Sequence, residues 1–351
     1  MSEKAPASQL QNGSNQIMRE TVALPISESS QAGGARRLAM ALASRLGFND
    51  TERGNAGIVV TEIANNLVLH AREGQLLLGP VTKDDIAGIE ILALDKGPGM
   101  VNIGECLRDG YSTAGTAGKG LGAISRLSAF FDIHSVPNVG TALLSQIWAT
   151  PTPSSRPYSN IEIGAVCLPK TGEEVSGDRW AIDRYADRTL LLVSDGLGHG
   201  PMAAQASLEA IEIFRENVRK SPAEIMEAVH GALRSTRGSA MAIAQLNFEQ
   251  QIIRFVGVGN ISASVMSESG SYSMVSHNGT VGHEVRKIQE FVYQWPKGGV
   301  LVMHSDGLGT QWRLDRYPGL AAKHPSAIAG VLYRDFNRGR DDVTVLVAKE
   351  N

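Results

Sequence analysis

The chain has 351 residues, 42% of them hydrophobic and 20% charged, with a formal net charge of -3. That length is a prior for two domains, and the charge gives no basic field that would hold a nucleic-acid backbone. The start, Met1 to Ser8, lacks an apolar signal-peptide core, and no later run approaches the roughly 20 apolar residues that span a bilayer, so a cytoplasmic protein is expected. The two cysteines, Cys106 and Cys167, stand in no paired-ligand spacing; this suits a reducing compartment and leaves oxygen as the ligand for any metal.

Residues 1–16 are polar and without a period, and are expected to form a disordered tail. Leu38, Leu42 and Leu46 then recur every fourth residue and stop at Gly47, predicting an amphipathic helix with a glycine cap. A second helix is predicted through Val59, Ile63 and Leu67. Ile86 to Leu94 reads as a strand ending at Asp95, followed by a glycine loop, a helix near Ala123 to Phe130 and a hairpin around Pro137 to Gly140. The Pro- and Ser-rich stretch 150–159 is the expected linker, dividing a domain at 17–149 from one at 160–351. Beyond it, strands are predicted at Ile161 to Leu168, Thr189 to Ser194, Ala240 to Phe248, Ile252 to Val258, Val300 to Ser305 and Val343 to Ala348. Two helices interrupt them, opened by Pro201 and Pro222. Both halves are therefore α+β.

In the first half, Glu62 and Asn66 lie four apart and share one helix face, with His70 a turn further on. Taken alone, such a pair is most often a solvated face. Asp95-Lys96-Gly97-Pro98-Gly99 puts a carboxylate at a strand's end before two glycines, and Ser112 to Gly122 is a glycine-rich run leading into a helix, whose free N–H groups suit phosphate. In this order the three segments resemble the N, G1 and G2 boxes of the histidine-kinase, gyrase and Hsp90 type of ATPase. With Asp109 to Thr113 and Phe130 to Ile133, they look most like the RsbT type of anti-sigma-factor serine kinase. The resemblance implies an α/β sandwich with a mixed sheet and helices on one face. It implies ATP with Mg²⁺ on Asn66, Glu62 as the catalytic group toward the acceptor hydroxyl, and Asp95 on the adenine amino group. Gly97 and Gly99 would shape the adenine pocket, and Gly118, Lys119, Gly120 and Gly122 would cover the phosphates.

In the second half, Asp195 in Ser194-Asp195-Gly196-Leu197-Gly198-His199-Gly200 and Asp306 in Ser305-Asp306-Gly307-Leu308-Gly309 each follow an apolar strand. Asp341-Asp342-Val343-Thr344 opens the last strand, and Ser176-Gly177-Asp178 precedes the first glycine loop. Each Asp-Gly alone is more often a turn. Clustered and desolvated, such carboxylates need a cation, and oxygen ligation suits Mg²⁺ or Mn²⁺. The set resembles the SpoIIE and RsbX branch of the protein phosphatase 2C (PPM) superfamily, which implies an α-β-β-α sandwich and a two-metal centre for in-line hydrolysis of a phosphoprotein. By that resemblance the metal ligands are Asp178, Asp195, the Gly196 carbonyl, Asp306 and Asp341; Asp342 is a helper, and His199 reads as a structural loop residue.

The combined expectation is a bifunctional protein serine/threonine kinase and metal-dependent phosphatase. It would act on STAS-type antagonist proteins in a bacterial partner-switching pathway. An alternative keeps the phosphatase and makes the ATP module a non-catalytic, partner-sequestering domain; Glu62 bears on the choice, since a general base serves transfer and not binding.

Overall fold

A computed structural model describes residues 21–83, 86–108, 120–150, 161–185 and 188–350. The predicted tail, the residues 109–119 and nearly all of the predicted linker lie outside the described residues.

The first half contains β1 (Val22–Pro25), α1 (Ser29–Arg45), α2 (Asp50–His70), β2 (Gln75–Lys83), β3 (Ile86–Asp95), the single turn α3 (Ile103–Cys106), α4 (Gly120–Leu127), β4 (Phe130–Val136) and β5 (Gly140–Trp148). The α2 helix starts at a reciprocal cap: Asn49 accepts from the Glu52 amide and Glu52 accepts from the Asn49 amide. The α1 helix ends where Gly47 takes a φ of 80°, as its position predicts. Its buried stripe differs from the expected leucines: Ala32, Ala35, Ala39, Leu42 and Ala43 face inward, and Leu38 is 36% exposed. Small side chains let α1 and α2 approach closely, as where Met40 covers Gly57.

The strand order is β1-β2-β3-β5-β4, and every pairing is antiparallel. This departs from the expected mixed sheet. The β4–β5 hairpin, turning at Asn138 in the left-handed region, inserts β5 beside β3 in the opposite direction, so no crossover to a parallel neighbour arises. The helices α1, α2 and α4 cover one sheet face through Val59, Val60, Ile63, Leu76, Leu78, Ile89, Ile91 and Ile124.

The second half contains β6 (Ile161–Leu168), β7 (Asp178–Tyr185), β8 (Arg188–Gly196), α5 (Pro201–Glu216), α6 (Pro222–Ala232), β9 (Ser239–Asn247), β10 (Ile252–Val258), β11 (Ser262–Ser267), β12 (Gly270–Ser273), β13 (Phe291–Gln294), β14 (Val300–His304), α7 (Pro325–Phe336) and β15 (Val343–Glu350). Two antiparallel sheets, β13-β10-β9-β8-β7 and β12-β11-β14-β15-β6, face each other over a core that includes Leu191, Val193, Phe255, Met303 and Leu346. The α5 and α6 helices, each with proline at its start, cover the first sheet.

The third helix, α7, was not predicted: nine of its residues are buried, so it shows no alternation of polar and apolar faces. It packs on β6 and β15 with one side and meets the open face of the first domain's sheet with the other. Leu77, Leu92, Leu94, Ala142 and Leu144 form one core with Ile328, Val331, Leu332, Val166 and Val345. A Cβ on Gly330 would lie 2.5 Å from Leu92 Cδ2, so glycine permits the contact. Polar bonds frame this joint: Ser326 Oγ donates to Glu90 at 2.9 Å, Lys323 Nζ to Asp132 at 2.9 Å, the His324 amide to Asp132 at 2.8 Å and Arg334 Nη1 to the Asp95 carbonyl at 2.9 Å. The molecule is thus a stack of helices, sheet, α7, sheet, sheet and helices.

Candidate functional site

The first candidate site is a cavity of about 440 Å³ between α2, the end of β3 and the start of α4. Ile63, Leu67, Met100, Ile133 and Leu143 give it apolar walls, and Asn66, His70, Asp95 and Thr141 supply polar groups. This mixture suits a planar heterocycle bearing a hydrogen-bond donor. Asp95 reaches the cavity because it ends a buried strand; burial raises its pKa, against the opposing bond from the Gly97 amide at 2.6 Å. Gly97 and Gly99 stand where no Cβ fits: at Gly97 it would meet the His70 carbonyl at 2.7 Å, and at Gly99, with φ of 65°, the Val136 carbonyl at 2.2 Å.

Asn66 and Gly120 line the same cavity. Glu62 is just outside it, its Oε2 only 3.3 Å from where a Cβ on Gly120 would stand, with Asn66 Oδ1 at 3.4 Å. The helix-face pair and the glycine run, far apart in sequence, therefore meet. Gly120 opens α4 and Gly122 is buried within it, while Gly118 and Lys119 lie outside the described residues. Sequence reasoning missed Met100 and Thr141. Thr141 is the register partner of Asp95, a signal that becomes readable once β5 is known to pair with β3.

The second candidate site lies at one end of the sandwich. Asp178 and Asp195 face each other across the β7–β8 register, Asp178 starting a strand that is not among those predicted. Ser305 Oγ donates to Asp178 Oδ2 at 2.5 Å and accepts from the Thr344 amide at 2.9 Å, tying β7 to β14 and β15. Among the described residues, Asp178 Oδ1 is buried with no hydrogen-bond partner. Burial, then the neighbouring carboxylates, pushes Asp195 well above the usual carboxylate range; burial also raises Asp178, with Asp342 and Asp306 adding to it against the Ser305 hydroxyl. A buried oxygen without a donor, among mutually repelling acids, fits a divalent cation bound through oxygen. Among the described residues, however, no three His, Cys, Asp or Glu side chains converge as a closed metal-binding group. Asp306 is instead turned to Asn260 Nδ2, at 2.8 Å.

The two adjacent acids separate cleanly. Asp342 is 2% exposed and accepts from the Lys170 amide and the Gly177 amide, both at 2.8 Å, so it holds the Ser176–Asp178 turn in place. Asp341 is left at the cluster. A Cβ on Gly307 would stand 2.0 Å from the Asp342 carbonyl, and one on Gly196 2.1 Å from the Ala203 carbonyl, so both loops need glycine to close on their supports. His199 Nδ1 pairs with Glu173 at 2.6 Å near the surface, in keeping with a structural loop residue. His304, missed by sequence reasoning, lies behind Asp306: its Nδ1–H donates to the Ser305 carbonyl at 2.8 Å and its Nε2 accepts from Trp312 at 3.1 Å.

Comparison with known proteins agrees with this division. Residues 185–351 match the family described as Stage II sporulation protein E (SpoIIE), and residues 27–146 match the histidine kinase-like ATPase domain. Serine/threonine-protein kinase RsbT of Bacillus subtilis (strain 168) is 34% identical over 114 residues, 32% of this chain and 86% of the relative. Phosphoserine phosphatase RsbX of the same organism is 27% identical over 142 residues, 40% of this chain and 71% of the relative. A solved structure described as "The bacterial stressosome: a modular system that has been adapted to control secondary messenger signaling" is 26% identical with a TM-score of 0.51, covering 54% of this chain and 99% of its own. Among the described residues no helix is long and apolar enough to cross a membrane. The chain belongs to the RsbT family of histidine kinase-like ATPases in its first half, and its second half matches the SpoIIE family, so that the two are fused in one chain.

Proposed function

We propose that the chain is a bifunctional regulator that phosphorylates serine or threonine on STAS-type antagonist proteins and removes phosphate from the same or a related partner. The observation that carries the kinase half is the meeting of Glu62 and Asn66 at Gly120, beside a cavity holding Asp95. Asp95 would accept from the adenine amino group, Asn66 would hold the Mg²⁺ that accompanies ATP, and the α4 N-terminus would face the phosphates. Glu62 takes the proton of the acceptor hydroxyl as its oxygen attacks the γ-phosphorus and ADP leaves. A domain that only sequestered its partner would need no carboxylate there, which favours transfer.

In the phosphatase half, Asp178, Asp195, Asp306 and Asp341, with the Gly196 carbonyl, would hold two Mn²⁺ or Mg²⁺ ions. When bound, these ions supply Lewis acidity toward water and the phosphoryl oxygens. The protein's own part is positional: Ser305 orients Asp178, Asp342 fixes the turn before it, and His304 holds the backbone next to Asp306. RsbT and RsbX, a kinase and a phosphoserine phosphatase, support this pairing.

The test is to incubate the Asp195→Asn chain with γ-labelled ATP, Mg²⁺ and the STAS proteins of its own genome, then add wild-type chain with Mn²⁺. Label should appear on one STAS protein in the first step and be released as inorganic phosphate in the second. Absence of transfer, with ATP shown to bind, would reduce the first domain to a binding module.

A further inference from the structure

Arg334, on the last turn of α7, belongs to the phosphatase domain, yet its side chain is aimed at the other half of the molecule. It is 6% exposed, and its Nη1 donates to the main-chain carbonyl of Asp95 at 2.9 Å. The rest of the guanidinium is held by Asp335, with Nε to Oδ1 at 2.8 Å and Nη2 to Oδ2 at 2.9 Å, and Tyr317 donates to Asp335 at 2.7 Å. This arginine is therefore fixed in direction before it meets Asp95, the residue whose carboxylate lines the nucleotide cavity.

The same end of α7 grips the phosphatase site from behind. Two residues past Arg334, the Phe336 carbonyl accepts from the Gly309 amide at 2.8 Å, and the Arg338 amide donates to the Gly307 carbonyl at 2.9 Å. Those bonds clasp the loop that follows Asp306, and the chain then runs directly to Asp341. The helix that carries both contacts at its end is buried between the two domains as far as Tyr333 and has no room to yield at Gly330. A displacement of the Asp95 turn at Arg334 is thus resisted by the packed helix and reaches the loop after Asp306 through the Phe336 and Arg338 main-chain bonds at the helix's end.

We propose that Arg334 is a positioning residue of the nucleotide site, contributed by the phosphatase domain, and that through α7 it couples filling of that site to the Asp306 and Asp341 end of the phosphatase centre. This rests on the nucleotide and phosphatase readings above. A role confined to holding the domains together would change stability but not the dependence of one site on the other.

The experiment uses the full chain, the ATP analogue AMP-PNP with constant Mg²⁺, and p-nitrophenyl phosphate. Calorimetry gives AMP-PNP affinity with and without saturating Mn²⁺, and hydrolysis is followed with and without AMP-PNP. Wild-type affinity should shift on adding Mn²⁺ by about 5-fold or more, a shift absent from Asp195→Asn, and AMP-PNP should alter kcat or KM for p-nitrophenyl phosphate. Arg334→Gln should weaken AMP-PNP binding and abolish its dependence on Mn²⁺, with Arg334→Lys restoring part of both. A folded Arg334→Gln that keeps wild-type affinity and the wild-type Mn²⁺ shift overturns the proposal. If that variant does not fold, Arg334→Lys and Tyr317→Phe decide: unchanged affinity and unchanged Mn²⁺ shift in both overturn it. Wild-type chain that binds AMP-PNP with no Mn²⁺ effect and no change in hydrolysis refutes the coupling alone. Wild-type chain that does not bind AMP-PNP refutes the nucleotide reading together with this proposal.

Discussion

Replacing each of the neighbours Asp341 and Asp342 by alanine should give opposite kinds of damage. Asp342 is 2% exposed and receives two backbone N–H bonds at 2.8 Å, from Lys170 and Gly177. A hydrogen bond to an ionised acceptor is worth about 1.5–3 kcal/mol, so the two together stabilise by roughly 3–6 kcal/mol. Burial of the carboxylate and repulsion by Asp341, which raise the Asp342 pKa against those bonds, offset part of this. A net loss of about 3 kcal/mol follows, and at about 2–4 °C per kcal/mol for a domain of 150–250 residues the melting temperature should fall by roughly 6–12 °C. Asp341 accepts one backbone N–H, from Asp342 at 3.0 Å, and adds to the repulsion that raises Asp195 and Asp342. Its removal loses that one bond but relieves the repulsion, so the melting temperature should fall by clearly less than in Asp342→Ala. Hydrolysis of p-nitrophenyl phosphate at saturating Mn²⁺ should be lost in Asp341→Ala. Thermal melts and that assay, run side by side, decide the matter. An Asp342→Ala protein that melts like wild type, or an Asp341→Ala protein with full turnover, would refute the division of roles.

Three further outcomes follow from particular contacts. Asp95→Asn should weaken ATP binding by calorimetry, whereas Glu62→Ala should bind ATP normally and transfer phosphate poorly; equal loss of binding in both would contradict the placement of Glu62 outside the cavity. Gly330→Leu puts a side chain where Leu92 Cδ2 already lies 2.5 Å from a Cβ, and the overpacking should cost about 1–3 kcal/mol, seen as an earlier melt. His324 caps α7 by accepting from the Ser326 amide at 3.1 Å and packs on Phe130 of the other domain; burial lowers its pKa from 6.5 to about 4. Between these values the unfolded chain binds the proton more tightly, so this contribution is complete above pH ~6.5 and is lost as pH falls through about 4, amounting to about 3 kcal/mol. Denaturant melts of His324→Gln should show a shallower loss of stability across that window; an unchanged slope would remove His324 as its source.

Much of the fold was legible because local signals and tertiary packing agreed. The prolines at 201 and 222 start helices, and the apolar runs at 252–258 and 343–348 are strands, since each run has both turn punctuation and a buried face. The candidate residues were legible for a related reason: a carboxylate followed by glycine at the end of an apolar strand describes backbone that must fit against something, and Gly196 and Gly307 do. What escaped was structure specified by partners distant in sequence. Buried all round, α7 offers no periodic face; β7 is an edge strand whose polar pairs Asp178-Arg179 and Asp183-Arg184 break any alternation; and the position of Thr141 opposite Asp95 depends on how the β4–β5 hairpin docks. The different duties of Asp341 and Asp342 were hidden for the same reason. Only the tertiary fold shows which of two adjacent carboxylates meets the Lys170 and Gly177 amides.

The expected linker lies almost wholly outside the described residues, and it is the joint at α7 that fixes the two halves against each other. Leu77, Leu92, Leu94 and Leu144 are each at most 3% exposed, and all four point away from the first domain's own helices into the shared core. At about 1.5–3 kcal/mol for each buried leucine, their burial stabilises by roughly 6–12 kcal/mol as an upper estimate. This is comparable to the whole stability of a typical domain, about 5–15 kcal/mol. An interface of that strength does not open and close as part of a catalytic cycle. Signals between the halves must therefore travel as small movements within a packed unit, and the buried helix carrying Arg334 is the element that touches both sites.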